Sequence, residues 1–250
     1  EQPLTITVLE VKELIDFFRN PCRYLIRKRL GIRLAVQPDI PGDQEAFALS
    51  GLDAYQIRDE FLQARIHHED FHALRQVHKS GGILPPSGQG MVQHASQEYQ
   101  VTELVQRFES EFHPLAVHEH EIDFDLDETQ IRGVIPSMST GGFTHLRCGK
   151  TKPINLIAFW MQWVLLCRKG GKDNPSEARY ISSEEVWTFR RVENPESLIR
   201  NLIVNFRNGM SSPLRFFPMS SFQYVQVASA KRRQKKSPME VVKSAWMGVR

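Results

Sequence analysis

The stretch that decides the fold reads HEHEIDFDLDETQIRGVIPSMSTGGFTHLRCGK and covers residues 118–150. It begins with a regular alternation of carboxylates with apolar or imidazole side chains. A period of two predicts a strand with one face in the core and the other in water. Residues 130–137 and 143–148 predict two further strands, and Gly141-Gly142 predicts the turn that joins them. We therefore expect an antiparallel meander in the middle of the chain.

Helical patterns lie on both sides of this meander. Before it, residues 7–10 have the pattern of a capping box that would begin a first helix, and Asn20-Pro21 would begin a second. After it, residues 153–167 are apolar nearly all round, which predicts a buried helix. Asn194-Pro195 would begin a further helix in the same way as Asn20-Pro21.

These patterns predict an α/β fold that borders on α+β, because helical and strand segments occupy successive parts of the chain. We expect a helical entry subdomain over residues 1–113. A mixed-sheet core flanked by helices, ending in basic helices, is expected over residues 114–250.

The composition excludes several classes of protein. Apolar residues make up 41% of the chain and charged residues 24%, as in a globular protein and unlike a disordered or collagen-like one. The longest apolar run, residues 156–167, is much shorter than the ~20 residues of a membrane span, so we predict no transmembrane helix. Three cysteines without ligand spacing indicate free thiols in a reducing cytoplasm. The chain starts at Glu1 without a signal-peptide pattern, which indicates a fragment of a longer cytoplasmic protein.

The net charge of +3 indicates no particular partner, but the charges are unevenly distributed. Residues 231–250 hold seven basic residues and one acid, whereas residues 109–128 hold eight acids and neither Lys nor Arg. Residues 129–172 contain no Asp or Glu at all. This last segment matters most for function, because hard divalent cations bind carboxylates.

Two basic segments are candidates for contact with DNA phosphates or with an acidic partner. The first has three arginines spaced four residues apart, on one helix face, and three further basic residues: Arg19, Arg23, Arg27, Lys28, Arg29 and Arg33. The second is denser and consists of Lys231, Arg232, Arg233, Lys235 and Lys236. Guanidinium groups that no acid neutralises suit a phosphate backbone. A solvated helix face or a charged linker is the alternative interpretation of both segments.

A zinc site is a second hypothesis. Residues 68–72 match the pattern H-E-x-x-H, in which His68 and His72 would share a helix face and bind zinc. Such a short match arises easily by chance, and Arg75 stands where the extended zinc-protease motif has glycine. A polar surface helix is the alternative interpretation. The phosphate-binding motifs G-x-x-x-x-G-K-[ST] and G-x-G-x-x-G are absent, so no sequence motif predicts nucleotide binding.

Three landmarks carry a family resemblance: residues 6–31, 47–56 and 213–218. In order and sequence they resemble the RecB-like nuclease domains and, more specifically, the RecC C-terminal domain family. The similarity runs over nearly the whole chain. Proteins that carry this domain are much longer, so the resemblance implies a C-terminal fragment.

The resemblance also implies where a nuclease site would lie. Active members of the nuclease superfamily use an Asp on one strand and a (D/E)-x-K triplet on the next. The first position falls on Pro136 and the second within residues 145–148, where Leu146 and Cys148 mark degenerate positions without a carboxylate. Mg²⁺ needs such carboxylates to activate water for phosphodiester hydrolysis. We therefore expect a domain with no catalytic residues and no metal ion of its own.

Basic side chains stand near these positions instead. Four of them would repel a divalent cation and suit phosphate contact without cleavage: Arg132, Arg147, Lys150 and Lys152. The alternative is an active Mg²⁺-dependent nuclease whose ligands lie elsewhere, among Asp123, Asp125 and Glu128.

Partners follow from the same resemblance. The RecC-type subunit belongs to exodeoxyribonuclease V, a three-subunit helicase–nuclease that processes double-strand breaks. The implied partners are RecB-like and RecD-like subunits and DNA, both as a duplex end and as separated strands. Mg²⁺ and ATP would be used by the partner subunits. A projecting hairpin would split the duplex, and we expect it at residues 139–147, with Phe143 placed to stack on a base.

Overall fold

The structure is a computed structural model that describes residues 6–32, 48–85, 87–111, 115–139, 142–169, 175–230 and 237–247. One strand and five helices come first: β1 (Val8–Glu10), α1 (Val11–Arg19), α2 (Pro21–Lys28), α3 (Gly51–Ile66), α4 (Phe71–Ser80) and α5 (Ser87–Glu111). Three strands and a helix follow: β2 (Leu115–Leu126), β3 (Thr129–Ser139), β4 (Phe143–Leu146) and α6 (Pro153–Lys169). The remaining elements are β5 (Glu177–Ile181), β6 (Val186–Arg190), α7 (Pro195–Ser211), α8 (Pro218–Ala228) and α9 (Pro238–Trp246). Within these described parts, no helix is long and apolar enough to cross a membrane.

The strands form two three-stranded sheets, both of mixed direction. In the first, with the order β1-β3-β2, β3 pairs parallel with β1 and antiparallel with β2. In the second, with the order β4-β5-β6, β5 pairs parallel with β4 and antiparallel with β6. Because α6 lies between β4 and β5 in the chain, it serves as the crossover that a parallel pair requires. The predicted α/β class with a mixed sheet is confirmed.

The predicted meander is only partly right. β2 and β3 are antiparallel neighbours as expected, but the sheet partner of β4 is β5, not β3. β4 meets the end of β3 through side-chain hydrogen bonds, including one from the Leu146 N–H to Met138 Sδ at 3.2 Å. The Ser137 hydroxyl donates to the Gly142 carbonyl at 2.9 Å, and the Thr144 N–H donates to the Ser137 oxygen at 3.1 Å. Gly141, predicted to share the turn, lies outside the described residues.

The start of the chain also corrects the prediction. Residues 7–10 were expected to cap a helix, but residues 8–10 form β1, and Glu10 at the N-cap of α1 makes no side-chain capping bond. The Glu10 carboxylate instead accepts a hydrogen bond from Arg132 Nε on β3 at 2.6 Å. Pairing with β3 therefore outweighs the local capping pattern.

Two hydrophobic clusters form the core. The larger one surrounds α6 and includes buried side chains of α1, α7 and both sheets, with Trp163 and Phe17 almost completely enclosed. The smaller one joins α3 and α5 to the start of β2 and the end of β4. β1 and α1 thus share a core with elements beyond residue 113. The subdomain boundary at that residue stays a prediction.

Helix α7 lies very close to α1 at Gly209. A Cβ atom at this position would be 2.3 Å from Cζ and 2.8 Å from Cε2 of Phe17, whose ring is fully buried against Phe206.

Replacing Gly209 with alanine should lower the free energy of unfolding by about 1–3 kcal/mol, because a packed ring must move. Urea unfolding measures this loss. The control is Gly51→Ala, since a Cβ at Gly51 meets no atom within 4 Å. Equal stability of the two variants would contradict the close packing.

Candidate nucleic-acid interface

Helices α1 and α2 form a basic groove. The side chain of Asn20 caps α2 by accepting a hydrogen bond from the Arg23 N–H at 3.0 Å, and Pro21 fits the first helical position, as the sequence predicted. This sharp turn places four predicted residues on one groove of about 680 Å³: Arg19, Arg23, Arg27 and Lys28, together with Asp16, Tyr24 and Ile154. Because Arg19 ends α1 whereas Arg23 and Arg27 lie on α2, the three arginines do not share one helix face as the spacing suggested, although all of them line the groove.

Few acids neutralise this basic groove. Arg19 lies 3.8 Å from Asp16, and Lys28 lies 3.5 Å from Glu13. Both pairs are exposed, and such pairs contribute little to stability. In the part of the chain that the structure describes, Arg23 and Arg27 form no ion pair. Their charges are available to an anionic ligand.

The other predicted basic residues are scattered. Arg29 is exposed at the end of α2 but does not line the basic groove, and Lys150 is 2.7 Å from Glu184. Lys152 is exposed immediately before α6. Arg33 and the five basic residues within 231–236 lie outside the described residues.

Strand β4 leads to a second group of functional side chains. The His145 ring stacks on Tyr180, with ring centres 5.3 Å apart and an angle of 22°. Burial, and then the positive charges of Arg147 and Arg19, lower the pKa of His145 to about 4. His145 is therefore neutral at pH 7. Arg19, which lines the basic groove, is close enough for its charge to lower the pKa of His145.

Arg147 is held by an aromatic ring rather than by an acid. Its guanidinium carbon lies 4.9 Å from the centre of the Tyr55 ring. Its Nε is buried and makes no hydrogen bond with any described residue. Asp59, which accepts a hydrogen bond from the Tyr55 hydroxyl at 3.3 Å, is the nearby carboxylate. A cation without a direct partner is thus fixed in place at the end of β4.

The three positions that the sequence predicted as degenerate nuclease positions do not lie together in the structure. Pro136 is exposed on β3, whereas Leu146 and Cys148 are buried in the smaller cluster against α3 and α5. Burial raises the pKa of the Cys148 thiol to about 12, so it is not a nucleophile at neutral pH. The half-buried residues at the end of β4 are His145, which the sequence did not single out, and Arg147, which it did. Alternation with the buried Thr144, Leu146 and Cys148 is the signal that identifies both.

The prediction that Phe143 stacks on a DNA base is wrong. Only 1% of this residue is exposed, and its ring stacks on Phe159 with centres 4.6 Å apart. Trp163 lies parallel to it at 6.1 Å. The sequence predicted an exposed Phe143 because the residue directly follows a glycine turn. In the structure, α6 packs over β4 and buries the Phe143 ring.

The zinc hypothesis is also contradicted. His68 lies between α3 and α4 with a φ of 56°, so only His72 is helical and the two residues do not share a helix face. Asp70 instead caps α4 by accepting a hydrogen bond from the His72 N–H at 2.9 Å.

The candidate magnesium ligands are exposed on the β2–β3 hairpin. Asp123 accepts a hydrogen bond from Gln130 at 2.9 Å, and Asp125 faces Gln130 across the ladder. Glu128 is exposed in the turn between the strands. Among the residues that the structure describes, no three His, Cys, Asp or Glu side chains form a group that could hold a metal ion.

Comparison with known proteins agrees with the landmarks in the sequence. The sequence profile of the RecC C-terminal domain matches residues 6–229. The RecBCD enzyme subunit RecC of Escherichia coli K12 is 26% identical over 224 residues, which cover 88% of this chain and 20% of that protein. The RecC subunits of Buchnera aphidicola (subsp. Acyrthosiphon pisum) and Haemophilus influenzae are each 22% identical, over 82% and 77% of this chain. The chain spans about a fifth of the length of these relatives. Since the family match covers most of its residues, the chain belongs to the RecC C-terminal domain family.

Proposed function

We propose that this chain is a DNA-handling and subunit-docking domain that does not cleave DNA. It would act within a RecC-type subunit of a RecBCD helicase–nuclease in double-strand break repair and recombination. Family membership supports the assignment, as do relatives that are named as RecBCD enzyme subunits. RecB-like and RecD-like subunits and DNA, as a duplex end and as separated strands, are the proposed partners.

One observation carries the proposal: a basic groove with few neutralising acids occurs in a domain that lacks carboxylates on the strand where a nuclease of this superfamily needs them. The half-buried residues at the end of that strand are a neutral His145 and the cation Arg147. These residues do not fit Mg²⁺, which prefers carboxylate oxygens and is repelled by cations. The same cations attract phosphate groups. Binding without cleavage is the function that this chemistry favours.

Protein docking uses a different surface in this proposal. The exposed face of the edge strand β2 carries Glu119, Glu121, Asp123 and Asp125. Such a face repels DNA and suits a basic protein partner. Mg²⁺ and ATP would be used by the partner subunits and not by this domain.

A cleavage assay tests the proposal. The chain should bind labelled single- and double-stranded DNA and leave both intact after prolonged incubation with Mg²⁺ or Mn²⁺. Metal-dependent cleavage that Asp125→Ala or Asp123→Ala abolishes would establish the alternative, an active nuclease on the β2–β3 hairpin. Gln130→Ala is a matched control on the same face, because its amide donates to Asp123 but supplies no carboxylate.

A further inference from the structure

A second concave feature lies next to the basic groove. It is an aromatic pocket of about 260 Å³ between α6, β6 and α8, and its ring-bearing residues are Trp160, Trp187, Phe189, Phe216 and Phe222. Pro153 and Ile157 of α6 complete one wall. All of these residues are half-buried, so each keeps part of its surface accessible. Its volume suits one flat ring system rather than a helix.

The aromatic pocket and the basic groove share the first turn of α6. Ile154 lines the groove, whereas Pro153 and Ile157 line the pocket. Helix residues three apart have Cβ atoms about 5–6 Å apart, so the two features are direct neighbours. Phe18, next to Arg19 in the chain, packs against the Phe216 ring of the pocket with ring centres 6.0 Å apart. A strand whose phosphates contact Arg19 thus lies beside the aromatic pocket.

Charges near the aromatic pocket are also mainly positive. Lys152 precedes Pro153 and Arg215 precedes Phe216; both cations are exposed and form no ion pair with any described residue. Glu185 is an acid beside the pocket, and its carboxylate accepts a hydrogen bond from Trp187 Nε1 at 2.8 Å and so orients the indole. Aromatic rings between cations are the features with which proteins bind single-stranded nucleic acid.

We propose that the aromatic pocket binds an unpaired base of single-stranded DNA whose phosphates lie in the basic groove. This inference rests on the proposed function and names the form of DNA that the surface prefers. In a duplex the bases are paired and stacked, so they cannot enter the pocket. The pocket adds affinity for the single strand only.

The test uses the 250-residue chain with Trp187→Ala, measured by fluorescence anisotropy of a labelled oligothymidylate and of a labelled duplex. Affinity for the single strand should fall about 10-fold, while affinity for the duplex stays the same. Trp187→Phe, which keeps a stacking ring, should recover most of the loss. Val186→Ala, an exposed neighbour on β6, is the matched control, and circular dichroism checks folding.

An oligonucleotide of abasic residues separates stacking from charge. It should bind the unaltered chain and Trp187→Ala equally, because it offers phosphates and no base. If Trp187→Ala leaves single-strand binding unchanged, or weakens single strand and duplex alike, the inference is overturned, and an apolar side chain of a protein becomes the better occupant. If the unaltered chain binds no DNA at all, the proposed function fails as well.

Discussion

A chain with Arg23→Glu and Arg27→Glu should bind DNA on the order of 100-fold more weakly than the unaltered chain. Both arginines line the basic groove and have no ion-pair partner among the described residues, so each change removes an attraction and adds a repulsion. Each lost phosphate contact also releases one counterion fewer. The plot of log affinity against log salt concentration should therefore become shallower by about 2.

Anisotropy titrations at several salt concentrations measure both effects. The control is the double variant Arg65→Glu and Lys79→Glu, which makes the same change in net charge on exposed positions of α3 and α4, away from the groove. It should lose much less affinity. Equal losses in the two double variants would mean that DNA responds to overall charge and that the basic groove is not the binding surface.

The basic groove was predictable because its determinants are local. Asn20 and Pro21 fix the start of α2, and the four-residue spacing of Arg23 and Arg27 fixes a shared helix face. The same holds for β2 and β3, whose alternation and short connection define an antiparallel pair. Interactions within one helix start or one hairpin suffice in each case.

The features that sequence reasoning missed depend on distant partners. β1 is three residues long and exists because β3 pairs with it from more than 100 residues away, which a local capping pattern cannot show. Likewise, β4 pairs with β5 only after α6 has crossed the sheet. Which face of β4 reaches the surface depends on that crossover. Phe143 was therefore placed outside the core, and His145 was overlooked.

His145 provides the second large effect, a dependence of stability on pH. Its pKa is about 4 in the folded chain and 6.5 for a histidine in a short unstructured peptide, so below pH 6.5 a proton binds the unfolded chain more readily than the folded one. The free energy of unfolding should fall as the pH decreases from 6.5 to about 4, by up to about 3 kcal/mol from this group, and the contribution should level off below that. The cause is the burial of the ring beside Tyr180 and the repulsion from Arg147 and Arg19.

His145→Phe isolates this contribution, because phenylalanine keeps a flat ring against Tyr180 but takes up no proton. Urea unfolding at a series of pH values should give a stability curve for the variant that is flatter between pH 6.5 and 4. His94 and His120, whose pKa values burial also lowers, titrate in both proteins and cancel in the comparison. Parallel curves would show that His145 is freely protonated, and then the end of β4 would carry a second cation beside Arg147 under acidic conditions. A flatter curve would instead mean that the surface next to the basic groove keeps a neutral ring there, so that the anion attraction depends on the arginines alone.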